Sequence, residues 1–152
     1  MQLSAEGLKL VKSWEGYRQR TYLDVAGFPT IGYGHRLLAS ESFPNGIDEA
    51  QANEILACDV RGAEQAVTRL AKVALTQNQF DALVDFVFNL GQGKLAASTL
   101  LKELNSGHYD AAREQLLLWD HAGALENANL KARRKSEYDL WSSTTSQHET
   151  AA

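Results

Sequence analysis

The sequence lacks the features that announce several function classes. It has one cysteine, Cys58, so no disulfide can form within the chain. Its four histidines, His35, His108, His121 and His148, are scattered, and no Cys/His cluster has the spacing of metal ligands. There is no basic excess: 15 Lys and Arg stand against 19 Asp and Glu, a formal net charge of −4. That argues against a nucleic-acid partner and against strong capture by an anionic surface. No apolar run is long enough to span a bilayer, and the opening "MQLSAEGLKLVKSWEG" has no apolar core of signal-peptide length. The expectation is a protein made and folded in a cytoplasm, without a metal or a stable membrane insertion. If it acts elsewhere, something else must release it.

What is present is an ordinary globular composition. A chain of 152 residues with 44% apolar residues suffices for one domain, or for two lobes sharing a helix. Leu8, Val11 and Trp14 recur at helical spacing, with Ser4 as N-cap and Gly16 as the residue after the helix, which puts Glu15 at its last turn. From Tyr17 to Leu38 the pattern becomes aromatic and β-branched with glycine punctuation, a small antiparallel sheet turning at "DVAGFP". "ASESFPNG" reads as a loop. Asp48 then caps a long helix to about Leu70, and Thr76 with Gln79 forms a capping box for the buried helix "QNQFDALVDFVFNL", which Gly91 ends. Further helices are expected over "KLAASTLLKELNSG", "YDAAREQLLLWDHAG" and "LKARRKSEYDLW", followed by a disordered tail over 142–152.

The fold class is therefore α+β and mostly helical. A sheet-containing lobe covers about 15–47, a connecting helix about 48–70, and a helical lobe about 71–141 with helix 4–14 packed on it. Lys131, Arg133, Arg134 and Lys135 read as a solvated helix face, the alternative being that Arg133 or Arg134 reaches toward Glu15.

Two carboxylates and a hydroxyl carry the candidate chemistry. In "PTIGYGH", strand alternation puts Thr30, Gly32 and Gly34 on one face and Ile31, Tyr33 and His35 on the other. The first face reads as the cleared floor of a cleft with Thr30 as its polar handle. Glu15 leaves its helix just before the sheet, and Asp24 sits at the sheet's turn. A carboxyl in a partly dry, aromatic setting keeps its proton and can act as an acid, while a solvated one stays ionised and can act as a base. Such a pair is what glycosidic cleavage requires. Two carboxylates nine positions apart also occur by chance, so spacing alone leaves a hydrolase and a chemically silent surface both open.

These residues bear a resemblance. Glu15, Asp24 and Thr30 with "GFPTIGYGH", the helix "LTQNQFDALVDFVFNLG", and "LLLWDHAG" followed by "LKARRKSEYDLW" resemble the bacteriophage-type lysozymes, or endolysins, over nearly the whole chain. The resemblance implies two lobes joined by a long helix around a saccharide cleft. It implies a monomeric muramidase that needs no cofactor and hydrolyses the β-1,4 bond between N-acetylmuramic acid and N-acetylglucosamine in the glycan strands of peptidoglycan. By position Glu15 is then the acid, Asp24 the base and Thr30 the hydroxyl that orients water, with Asn89 and Gly32 as substrate contacts. The enzyme would wait in the host cytoplasm until released to the wall. Two alternatives remain: a lytic transglycosylase on the same substrate, disfavoured by Asp24 and Thr30, and a non-catalytic glycan-binding module.

One structural pair is also expected. Ile55, Asp59 and Ala63 follow helical spacing, so Asp59 falls on an apolar stripe and needs a partner, with His35 as the candidate; the alternative is that both side chains meet water. The pair would raise the histidine's pKa and lower the aspartate's. Cys58 is expected to be packed or half-buried, without chemistry.

Overall fold

A computed structural model describes residues 1–142. The chain forms two compact units, Val11–Gly62 and Met1–Leu10 with Ala63 onward.

The Val11–Gly62 unit holds the end of α1 (Ala5–Glu15), the strands β1 (Arg18–Leu23), β2 (Pro29–Gly32) and β3 (His35–Arg36), and the first part of α2 (Glu49–Leu70). The sheet is antiparallel in the order β1-β2-β3. Its first ladder pairs Arg18 with Gly32 but Tyr22 with Thr30, so β1 carries extra residues in between and bulges. The bulge presents the Gln19 carbonyl to the Ile47 N–H at 2.9 Å, which ties the loop before α2 to the sheet. α2 starts on a reciprocal cap, the Asp48 carboxylate accepting from the Gln51 N–H while the Gln51 side chain accepts from the Asp48 N–H. Ile31, Tyr33, Ile47, Ala52, Leu56 and Val60 are buried.

The expected strand "PTIGYGH" is shorter than alternation suggested. β2 stops at Gly32, Tyr33 and Gly34 form the turn, and His35 begins β3. Glycines with positive φ at 32 and 34 make the reversal possible, and the side-chain directions of 30, 32 and 34 therefore do not share one face. Cys58 is exposed, not packed, because it lies beside the apolar stripe of α2 and not on it.

The His35–Asp59 contact is present, Nδ1 to Oδ2 at 2.8 Å, and His35 has a second partner that periodicity did not indicate: Nε2 lies 2.9 Å from Glu41 Oε1. Burial disfavours the imidazolium, but the hydrogen bonds to Glu41 and Asp59 outweigh it and raise the His35 pKa above its ordinary 6.5. The Leu38 N–H and His35 lower that of Glu41 below its ordinary 4.5. The histidine's contribution is thus complete below its unfolded pKa and is lost as pH rises through the raised folded value. Glu41's is complete above its unfolded pKa and is lost as pH falls through the depressed one. Stability from this cluster should peak between those limits. His35→Asn should cost roughly 1–2 kcal/mol there, the scale of a charge-assisted hydrogen bond that is partly solvated. Denaturant unfolding from pH 5 to 9 checks this, with the variant's curve expected to be flatter than the wild type's.

The other unit is helical. Ser4 caps α1: its hydroxyl accepts from the Gly7 N–H and donates to the buried Asp81, whose carboxylate also accepts the Ser4 N–H at 3.1 Å. α3 (Gln77–Leu90) begins on the expected Thr76/Gln79 capping box and ends at Gly91. Phe80, Leu83, Val84, Phe86 and Val87 are buried along it, and full burial stabilises by roughly 1.5–3 kcal/mol per large apolar side chain. Around it stand α4 (Gln92–Ala96), α5 (Thr99–Asn105), α6 (Tyr109–Leu116) and α7 (Ala128–Ser142).

Two boundaries differ from the periodicity reading. The single helix expected over 94–107 is two, because the Ser98 hydroxyl donates to the Leu95 carbonyl and accepts the Leu101 N–H, ending one helix and capping the next. The helix expected through "DHAG" stops at Leu116. His121–Ala122 (β4) and Leu125–Glu126 (β5) form a hairpin instead, and the Asn127 side chain caps α7. α7 includes Ser142, which was expected to open the tail; residues 143–152 lie outside the described residues.

Candidate active site

Glu15 is the last residue of α1 and is half-buried. Its carboxyl lies against Gly34: a Cβ added there would stand 2.9 Å from Glu15 Oε2. Gly34 also has φ +76°, which a side chain disfavours. The β2–β3 turn thus passes the carboxyl closely because position 34 is bare. Gly34→Ala should displace the carboxyl and add strain on the order of 1–3 kcal/mol. Loss of turnover in the folded variant, measured beside its melting temperature, checks this.

Asp24 opens the β1–β2 turn and is fixed by three hydrogen bonds. Oδ1 accepts the N–H groups of Ala26 and Phe28, each at 2.9 Å, and Oδ2 accepts Arg36 Nε at 3.0 Å. The first two are the local geometry that aspartate favours at turns. The Phe28 N–H, the Ala26 N–H and Arg36 together hold the Asp24 pKa below its ordinary value against the cost of burial. These contacts favour the ionised form of the Asp24 carboxylate.

Phe28 connects Asp24 to Thr30. Its N–H donates to Asp24, and its carbonyl accepts both the Asp24 N–H at 2.9 Å and the Thr30 hydroxyl at 2.8 Å. The Thr30 proton is thus engaged, leaving the hydroxyl oxygen as an acceptor. Thr30 is 2% exposed, not a handle on an open floor. Gly32 is buried too, with its missing side chain directed at Ile47 and Ala52, so it clears space for the core.

Asn89, near the end of α3 in the other unit, is half-buried, and its Oδ1 accepts from Arg134 Nη2 at 2.9 Å. Arg133 and Arg134 are buried, 6% and 0% exposed, which corrects the solvated-face reading; Lys131 and Lys135 do lie on the surface, paired with Glu126 and Asp139. Arg133 makes a two-pronged pair with Asp85, Nε to Oδ2 at 2.9 Å and Nη2 to Oδ1 at 2.7 Å. Arg134 donates to Glu137 at 2.7 Å.

Sequence reasoning missed Arg36, Glu41 and Asp85. A usable signal existed for Arg36 alone. A turn over 32–34, marked by its two glycines, pairs Ile31 with His35 and so Arg36 with Thr30 across the β2–β3 ladder. Among the described residues no three His, Cys, Asp or Glu side chains are gathered as a metal site, and no helix is long and apolar enough to cross a membrane.

The family described as "Phage lysozyme" matches residues 12–137. The chain is 39% identical over 138 residues to the endolysin of Salmonella phage P22, covering 89% of this chain and 94% of that protein. It is 40% identical over 144 residues to the endolysin of Bacillus phage B103, covering 93% of this chain but 54% of that longer protein. Among solved structures, the endolysin from Escherichia coli O157:H7 phage FAHEc1 superimposes with a TM-score of 0.88 at 34% identity, covering 95% and 96% of the two chains. The muramidase domain of SpmX from Asticaccaulis excentricus superimposes with a TM-score of 0.86 at 34% identity, covering 94% and 99%.

Proposed function

Because the chain belongs to the phage lysozyme family and is a lysozyme-type glycoside hydrolase, we propose that it cleaves the β-1,4 bond between N-acetylmuramic acid and N-acetylglucosamine by inverting single displacement. Glu15 gives its proton to the glycosidic oxygen as that bond breaks. A water attacks the anomeric carbon from the opposite face and passes its proton to Asp24. Solvent then restores both carboxyls.

The observation that carries this reading is the Asp24–Phe28–Thr30 linkage. A carboxylate accepts about four hydrogen bonds. Three sites on Asp24 are taken, and the one left is on Oδ2. Thr30 likewise has only acceptor capacity to spare. A water donating one hydrogen to each keeps its own lone pair for the anomeric carbon. A carboxylate held by three donors is a poor nucleophile, since attack would have to break them. Any contact from Gly32, which has no side chain, would be through its backbone.

Proton NMR of the first-formed reducing end tests the mechanism. An α-configured product is expected before mutarotation. A β-configured product, or a glycosyl adduct on Asp24, would overturn it, and a 1,6-anhydro end would assign a transglycosylase. Thr30→Ala should lower turnover on the order of tenfold, the size of one lost hydrogen bond to the water.

A further inference from the structure

We propose that Arg36 is a positioning residue for Asp24, selecting the single carboxylate lone pair that faces the attacking water. This rests on the role of Asp24 proposed above. Arg36 Nε donates to Asp24 Oδ2 at 3.0 Å, while its guanidinium carbon stands 4.3 Å from the centre of the Phe28 ring. Phe28 is also the residue whose peptide groups bind Asp24 and Thr30. The same turn therefore aims the carboxylate from below through its backbone and aims the arginine through its ring. In register, Arg36 sits directly across the ladder from Thr30. Without Arg36, Oδ2 would have two open acceptor sites and no fixed direction for the water. Lysine could supply the charge but not the planar donor stacked on an aromatic face.

The pair does little for the fold. Arg36 keeps 59% of its side chain exposed, and exposed ion pairs add little to stability. Its effect should therefore appear in catalysis. Asp24 accepts from one charged side chain, Arg36 on β3, and from backbone donors of its own turn. The His35 imidazole on the same strand faces Glu41 and Asp59 instead. Arg36 also helps to hold Asp24 ionised.

The test measures kcat, KM and pH profiles of wild type, Arg36→Gln, Arg36→Lys and Asp24→Asn on purified peptidoglycan, with ¹³C NMR titration of the Asp24 carboxyl. Arg36→Gln should lower kcat about two- to fivefold, the range an exposed ion pair supports, at unchanged KM. It should also move the acid limb of the profile, and the Asp24 titration with it, to higher pH while leaving the melting temperature in place. Arg36→Lys should restore the acid limb but only part of kcat. A wild-type kcat and acid limb in Arg36→Gln, or a defect confined to KM, would overturn the proposal even where the carboxyl titration moves. If Asp24→Asn is inactive beside a normal Arg36→Gln, only Arg36 loses its role. A fully active Asp24→Asn would remove the base assignment and this proposal together.

Discussion

Glu15→Gln should fold like the wild type and turn over peptidoglycan roughly 10²–10⁴ times more slowly, the range spanned by loss of a general acid. The substitution preserves side-chain length and shape at the end of α1 and removes only the titratable proton. The neutral amide can still lie against Gly34, where position 34 has no Cβ to exclude it. The sugar leaving group is an alkoxide of high basicity unless it is protonated, so the loss should be in kcat, with KM little changed. Release of soluble fragments from purified peptidoglycan, read beside circular dichroism and melting temperature, separates chemistry from folding. A folded variant with near-normal turnover would show that the proton comes from elsewhere.

Asp85→Ala should be the most destabilising of the substitutions considered. Asp85 is fully buried on α3 and receives two prongs of the Arg133 guanidinium, itself only 6% exposed. Removing one partner of such a pair leaves an uncompensated charge in a poorly solvated place, at a cost of roughly 3–5 kcal/mol. For a chain of this length that corresponds to about 6–20 °C in melting temperature. Burial disfavours the Asp85 carboxylate, but its hydrogen bonds to Glu137 and Arg133 prevail and lower its pKa. Neighbouring Glu137 goes the other way, pushed well up by burial and by Asp85. Asp85's stabilisation is therefore complete above its unfolded pKa and is lost as pH falls through the lower folded value, whereas Glu137 favours the fold at low pH and less as pH rises toward its raised value. Thermal unfolding of Asp85→Ala across pH 3 to 8 should show its largest deficit near neutrality.

How far these conclusions could be read from the chain itself depends on the range of the interaction. Caps and helix ends were legible because each is settled within a few residues: Ser4 before α1, Asp48 before α2, and Thr76 with Gln79 before α3. Periodicity located the buried face of α3, a single regular helix; the His35–Asp59 contact is present as expected, although the strand alternation that faced His35 inward does not run through the turn at 33–34. It failed where a single side chain redirected the backbone. Ser98 split a helix that composition would have continued, and positive φ at Gly32 and Gly34 turned an apparent strand into a hairpin.

By its own order of residues the chain determined an α+β, mostly helical protein of the phage lysozyme family and nominated Glu15, Asp24 and Thr30. Tertiary structure alone decided how those groups are held. It brought Gly34 against the Glu15 carboxyl, spent the Thr30 proton on the Phe28 carbonyl and set Arg36 on Asp24. It also buried Arg133 and Arg134, which local charge patterning assigned to solvent. The physical reason is the same in each case. A hydrogen bond or buried ion pair needs its partner within about 3 Å, and only the folded chain determines which distant residue stands there.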